Sequence, residues 1–314
     1  MKKLFKILGI FCIIIIALYL ISIPYIRSKN PIKETVFFTP TKYDKTKIFN
    51  QLAPSYLTVI SKDSVQFAAN KFIISKNSDS LILNHTKIKR DFKKFSDNSL
   101  SEFYTIQPKT YKKVGVFMLG NTFNVFNIFD QLTTLAQKDE MKIYVITYNG
   151  NGYSEGKSSF ENQFKVNQNF YKFINSKEKT DYIFGHSLGT VFATKLAVDN
   201  KIPHLVLLAP ASNLKDMISY FKSLTNILVR PYFNTTELTK SGIDKLADNS
   251  EKIKNYNGNL LLIHGTKDTN LPYFMSQKIL KNCNSSHKKL ITVPDGNHYA
   301  AFDKEIWNKL INEL

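Results

Sequence analysis

The chain is predicted to be an α/β protein, a mostly parallel, doubly wound sheet with a helical insertion, preceded by an N-terminal transmembrane helix. Three observations carry that expectation. From about residue 86 short β-rich runs alternate with helical segments of roughly 12 to 18 residues, the pattern of βαβ units. The later β-rich runs are almost continuously apolar, as strands covered on both faces are. Near its start the chain also carries twenty residues without a charge, Ile7 to Ile26.

That first run contains Ile13-Ile14-Ile15-Ile16 and follows Lys2, Lys3 and Lys6. At about 1.5 Å per residue it spans roughly 30 Å as a helix, the thickness of a bilayer core. Residues 1–26 are therefore expected to be a membrane anchor. The anchor is read as uncleaved, because no small-x-small site follows it and Ser22-Ile23-Pro24 is the nearest approach. The bulky Phe11 before Cys12 argues against a lipoprotein signal. Arg27, Lys29 and Lys33 nearly balance the first three lysines, so charge specifies orientation weakly, and the expected topology is N-terminus in, folded part on the extracytoplasmic side. Residues 27–85 are expected to be a connector and N-terminal extension with short apolar patches, Val65-Gln66-Phe67 and Lys71-Phe72-Ile73-Ile74.

Residues 86–314 are expected to form the folded unit. Lys87 to Lys94 and Leu100 to Ile106 read as an opening antiparallel pair. Parallel strands follow at Val114 to Leu119, Ile143 to Thr147, Tyr182 to Gly185, Leu205 to Ala209, Leu260 to His264 and Leu290 to Val293. Helices are expected at Val125 to Gln137, Phe160 to Asn175, Leu188 to Asp199, Tyr273 to Lys281 and Lys304 to Glu313. The stretch 211–259 is left as an insertion. In it Leu214, Met217, Ile218, Phe221, Leu224 and Leu228 recur at helical spacing, an apolar stripe that either packs on the sheet or lines an apolar site.

The 314 residues hold 43 Lys and Arg against 25 Asp and Glu, a net charge of +18. The excess is uneven: residues 1–113 carry 20 basic against 7 acidic side chains, and residues 114–314 carry 23 against 18. No zinc finger, basic zipper or aromatic RNA signature accompanies the lysines, so no nucleic-acid partner is expected. Beside an anchor, they are expected to face anionic lipid head groups. The two cysteines, one in the apolar run and one at position 283, give no disulfide framework.

Gly185-His186-Ser187-Leu188-Gly189 fits G-x-S-x-G and sits between a strand and a helix. There a sharp turn exposes the serine Oγ above the sheet, and the flanking glycines let neighbouring chain pass closely. A serine hydroxyl becomes a nucleophile only when a base takes its proton and an acid orients that base. Both follow in the order this arrangement requires. Asp268 lies in the loop after Leu260-Leu261-Leu262-Ile263-His264, and His298 lies just past Leu290 to Val293. Ser187, Asp268 and His298 are the candidate catalytic residues, with Asp295 as a substitute acid that is too local to His298 to be preferred. His85, His204 and His287 carry no partner pattern, and His186 and His264 are expected to be structural. No pair of histidines has metal-ligand spacing, and no metal or cofactor is expected. For the oxyanion the expected donors are the backbone N–H groups of Leu188, directly after the serine, and of Asn121, in the loop after Val114 to Leu119.

These blocks resemble the α/β-hydrolase fold over about residues 86–314, and within it the membrane-associated serine hydrolases that include lysophospholipid and acylglycerol lipases and protein depalmitoylases. The turn Asp97-Asn98-Ser99-Leu100 is similar to that family's D-G-x-x-L. Leu119-Gly120-Asn121-Thr122-Phe123-Asn124 is similar to its H-G-N-x-G-N, and Asn149-Gly150-Asn151-Gly152-Tyr153-Ser154-Glu155-Gly156 to its R-G-Y-G-x-S-x-G. Leu119, Phe123 and Asn149 depart from the pattern, and Phe123 is expected to narrow the acyl pocket. The resemblance implies a lid at about 211–259. It also implies a membrane-anchored hydrolase of carboxylic (thio)esters acting on a small-molecule or lipid ester through an acyl-enzyme on Ser187, with residues 7–26 as the membrane contact. An aminopeptidase or acyltransferase with the same three residues, or an inactive tethered binding module, stays open at this point.

Overall fold

The computed structural model describes residues 2–43, 71–72, 76–96, 98–121 and 123–314, with side chains from residue 12 in the first helix. Asp97, Thr122 and the patch Val65-Gln66-Phe67 lie outside the described residues. A long first helix, α1 (Lys2–Lys29), precedes a nine-stranded sheet. Within α1, Cys12–Lys29 is long and apolar enough to cross a bilayer by length and composition.

The strands are β1 (Asp79–Leu83), β2 (Thr86–Ser96), β3 (Ser99–Gln107), β4 (Lys113–Met118), β5 (Met141–Ile146), β6 (Tyr182–His186), β7 (His204–Leu208), β8 (Asn259–Gly265) and β9 (Lys288–Val293). They lie in the order β1-β2-β3-β5-β4-β6-β7-β8-β9. The first three are antiparallel, β3 meets β5 antiparallel, and from β5 onward every pairing is parallel. Each expected strand is present within two residues at either end. The difference is β1, which lies inside the stretch read as connector. Asn84 and His85 both take positive φ, 46° and 57°, and close a two-residue hairpin between Leu83 and Thr86. Asn is at home there, whereas His hides the usual Asn-Gly signal.

Five longer helices cover the parallel part: α2 (Phe129–Lys138), α3 (Phe160–Asn175), α4 (Gly189–Asn200), and, after the insertion helix α5 (Leu214–Leu224), α6 (Phe274–Asn282) and α7 (Lys304–Ile311). Period-two alternation divides β4 between two cores. Val116 and Met118 join Phe160, Phe170 and Phe192 on the α3–α4 face, while Phe117 joins Phe129, Leu132 and Trp307 on the α2–α7 face. Burying both faces leaves only the strand ends open. In an open parallel sheet the carboxyl ends are where reactive side chains collect.

The N-terminal segment closes over those ends. Phe37 and Phe38 pack on Phe160, the Ile32 N–H donates to the Asn234 carbonyl at 2.7 Å, and the Tyr43 hydroxyl donates to the fully buried Glu102 at 3.1 Å.

Candidate active site

Ser187 lies on the turn from β6 into α4 with φ of 52°, a left-handed conformation that costs a non-glycine residue about 1–2 kcal/mol. The neighbours explain why the turn holds. A Cβ on Gly189 would lie 2.2 Å from the Met118 carbonyl oxygen, and one on Gly185 would lie 2.8 Å from the Gly189 carbonyl oxygen and from the Ala193 Cβ. Both glycines of the motif are therefore required by close backbone approach. The Ser187 N–H donates to the Leu208 carbonyl at 2.9 Å, and its own carbonyl accepts the Thr190 hydroxyl at 2.6 Å.

Asp268 and His298 come from different loops, after β8 and β9, and a third close approach joins them. A Cβ on Gly265 would sit 2.2 Å from the Gly296 carbonyl oxygen. With none there, the Lys267 N–H reaches that oxygen at 2.9 Å, and the Asp295 N–H reaches the Thr266 hydroxyl at 2.8 Å. The result is a continuous chain. Asp268 Oδ2 lies 2.7 Å from His298 Nδ1, and His298 Nε2 lies 2.9 Å from Ser187 Oγ. The network assigns the proton to Nδ1, leaving Nε2 to accept from the serine hydroxyl.

Asp268 is fully enclosed. Its other oxygen, Oδ1, accepts the N–H groups of Asn270 and Leu271 at 2.8 and 2.9 Å. Burial works against its ionisation. The hydrogen bonds from His264 and His298, the His298 charge and the Leu271 N–H outweigh it and hold the carboxyl well below its usual range. Asp295, the substitute acid, instead faces solvent in an ion pair with Lys267 at 2.8 Å.

Two histidines expected to be structural lie within this network. His264 Nε2 lies 3.0 Å from Asp268 Oδ2 and 2.8 Å from the Leu271 carbonyl oxygen, so it carries the proton, and its Nδ1 accepts from the Ser276 hydroxyl at 2.6 Å. One carboxylate oxygen thus receives two imidazoles. The four-residue spacing from His264, at the end of β8, to Asp268 in the loop after it was the available signal. His186 is buried behind the serine, its ring against Gly120, where a Cβ would meet Nδ1 at 2.7 Å. Burial first, then repulsion from His298, push its pKa well below the usual imidazole range, so the ring stays neutral.

Asn121 and Leu188 share one cavity with Ser187 and His298, with a volume of about 240 Å³. Among the described residues neither N–H of the pair meets an acceptor. The Asn121 side chain is clamped, its Oδ1 accepting the Thr39 N–H at 3.0 Å and its Nδ2 donating to the Thr39 hydroxyl at 3.2 Å. The expected narrowing by Phe123 does not occur. Phe123 turns away from the cavity to stack on Tyr299 and Phe302 and against His186, because an apolar ring gains more in that core than at a wet mouth.

The apolar stripe of the insertion divides. Leu214 is buried in the core, Met217 and Phe221 line the cavity, and Leu224 and Leu228 are exposed. Val36 and Phe37 supply a further wall that the sequence reading assigned no role. They lie some 150 residues before the serine, and only the folded chain brings them there.

A strained serine turn at the end of β6 is joined by hydrogen bonds to His298 and Asp268 from the loops after β9 and β8, and with this topology the class is defined: the chain is a serine hydrolase of the α/β-hydrolase fold. The profile of a family described as serine aminopeptidase, S33, matches residues 124–260. The structure is similar to the esterase Pf2001 of Pyrococcus furiosus (TM-score 0.58, 17% identity, 76% of this chain and 96% of that one). It is also similar to Est1E of Butyrivibrio proteoclasticus, solved with ferulic acid (0.55, 16%, 71% and 96%), and to a monoacylglycerol lipase of Paleococcus ferrophilus (0.52, 18%, 69% and 100%). No curated protein matches the chain in sequence.

Proposed function

We propose that this protein is a membrane-anchored esterase that cleaves carboxylic esters or thioesters of acyl or lipid substrates through an acyl-enzyme on Ser187. The observation that carries the reading is the relay from Asp268 through His298 to Ser187 Oγ, at 2.7 and 2.9 Å, beside two N–H groups that meet no acceptor among the described residues. His298 Nε2 takes the Ser187 proton as Oγ bonds to the substrate carbonyl carbon. The carbonyl oxygen becomes an oxyanion held by the N–H groups of Asn121 and Leu188. Collapse breaks the ester bond, and the leaving alkoxide or thiolate takes the proton from His298. Water then attacks the acyl-enzyme with His298 as base, releasing the acid and restoring Ser187.

Asp268, fully buried and ionised, keeps His298 in the tautomer this cycle needs. The ester names of the similar structures and the apolar wall of Val36, Phe37, Met217 and Phe221 support esters over peptides. In this reading residues 1–26 anchor the protein through 7–26, and the catalytic unit of about 86–314, extended by β1, lies on the extracytoplasmic side with 211–259 as its lid. A fluorophosphonate probe is expected to label the wild type at Ser187 and to leave Ser187→Ala unlabelled. Absence of labelling in the wild type would reject the mechanism.

A further inference from the structure

The exposed apolar surface of the insertion is not scattered. Leu224, Ile227, Leu228 and Val229 are 63%, 71%, 60% and 47% exposed and follow one another at the end of α5. This tip is fastened to α1. The Tyr19 hydroxyl donates to the Leu228 carbonyl at 2.7 Å, Ser22 Oγ and the Tyr232 hydroxyl are 2.8 Å apart, and the Tyr19 and Tyr232 rings meet edge to face at 6.0 Å. Tyr19, Ser22 and Ile23 are the half-buried positions of α1 over residues 12–29, a single stripe at i, i+3 and i+4.

Depth follows from helix geometry. Tyr19 precedes Arg27, the first charge after the apolar run, by eight residues, or about 12 Å along a helix. With Arg27 at head-group level, Tyr19 and the Leu228 carbonyl bonded to it lie within the hydrocarbon. A loop survives there only when its backbone polar groups are satisfied internally. Several groups of this loop have that property, while the N–H groups of Asn226 and Ile227 meet no acceptor among the described residues. The Leu228 N–H donates to Asn226 Oδ1 at 2.9 Å, the Val229 N–H to the Asn226 carbonyl at 2.9 Å, and the Arg230 guanidinium to the carbonyls of Thr225 and Ser223 at 3.2 and 2.7 Å. One helical turn before Leu224, Phe221 lines the cavity at Ser187.

We propose that the tip 224–229 is inserted into the acyl layer of the bilayer beside α1, so that α5 connects that layer to the cavity at Ser187 and the ester substrate enters from the membrane. The inference rests on the anchored-esterase reading and adds the route and the physical state of the substrate.

The test uses the full chain in phosphatidylcholine–phosphatidylglycerol vesicles, in a Cys12→Ser background with Cys283 left buried. An environment-sensitive fluorophore is placed at Leu228→Cys, at Ile16→Cys in the span and at Lys109→Cys on the remote surface. The label at 228 is expected to be quenched by acyl-chain doxyl lipid as the label at 16 is, and shielded from iodide, with the label at 109 behaving oppositely. Iodide quenching at 228 while 16 is lipid-quenched would overturn the insertion and leave the anchor standing. Iodide quenching at both would remove the anchor and the insertion together. In a second arm, Ile227→Asp with Leu228→Asp is expected to lower hydrolysis of a bilayer-embedded long-chain ester about tenfold or more. A water-soluble short-chain ester is expected to change less than about twofold, which also reports that the variant is folded. Equal loss on both esters with the label at 228 open to iodide would overturn the proposed route.

Discussion

The cavity at Ser187 has two unlike walls. Its floor, made of Ser187, Leu188, Asn121 and His298, comes from loops at strand ends and is held by hydrogen bonds between 2.6 and 3.3 Å and by glycines that admit no Cβ. Its roof, made of Val36, Phe37, Met217 and Phe221, comes from the N-terminal segment and the insertion, and is apolar and in part solvent-exposed. The floor has little freedom and the roof has few specific bonds. In the proposed mechanism, bond breaking and substrate choice therefore fall to separate parts of the chain. Loops over a rigid sheet can change specificity without disturbing the relay beneath.

Breaking the floor is expected to have the largest effect. Ser187→Ala or His298→Ala should lower kcat/KM about 10³-fold or more, alike for acetyl and long-chain esters, in steady-state assays. A chain-length-dependent loss would instead mean that these residues belong to recognition.

The second imidazole on Asp268 gives a smaller effect within the floor. His264→Gln should lower kcat about tenfold with KM little changed, since one hydrogen bond to a charged oxygen is worth about 1.5 kcal/mol or more. An unchanged kcat together with a lowered Tm would make His264 a packing residue only.

Altering the roof is expected to separate substrates. Met217→Ala and Phe221→Ala should lower kcat/KM for long acyl chains about 5- to 50-fold and for acetyl esters less than about twofold, as the loss of apolar contacts in a pocket does. Equal losses for both esters would merge the two walls into one functional unit.

The smallest effect concerns how the insertion sits on the sheet. Lys252, in the insertion, packs its ammonium over the Phe164 ring and bonds to the Leu246 carbonyl. Burial, and then the Lys195 charge, lower its pKa to about 8. A lysine whose folded pKa lies below its unfolded value of about 10.4 destabilises the fold while charged, so stability is expected to rise as the pH climbs from about 8 to 10. Thermal melts should show that rise in the wild type and not in Lys252→Met. The same rise in both would remove Lys252 from the account.

The two walls also differ in how legible they were. G-x-S-x-G, the apolar runs ending at His264 and Val293, and the order Ser187, Asp268, His298 are local patterns, because strand periodicity and tight-turn chemistry act over a few residues. The roof carries no comparable signal. Met217 and Phe221 belong to an apolar stripe whose spacing leaves packing on the sheet and lining a site both open, Val36 reads as an ordinary apolar residue until the chain is folded, and β1 hid behind an Asn84-His85 turn that lacks the usual glycine.

Local chemistry along the chain thus suffices for the positions of the strands, the G-x-S-x-G turn and the loops that carry Asp268 and His298, since each depends on neighbours within about ten residues. Long-range packing decided the rest. Gly265 against Gly296 sets Asp268 beside His298, His264 joins the same carboxylate oxygen, Phe123 leaves the pocket for a buried stack, and Thr39 clamps Asn121 across 82 residues. Those arrangements depend on which surfaces exclude water together and which backbones approach within van der Waals distance, and residue order along a strand or turn does not encode either.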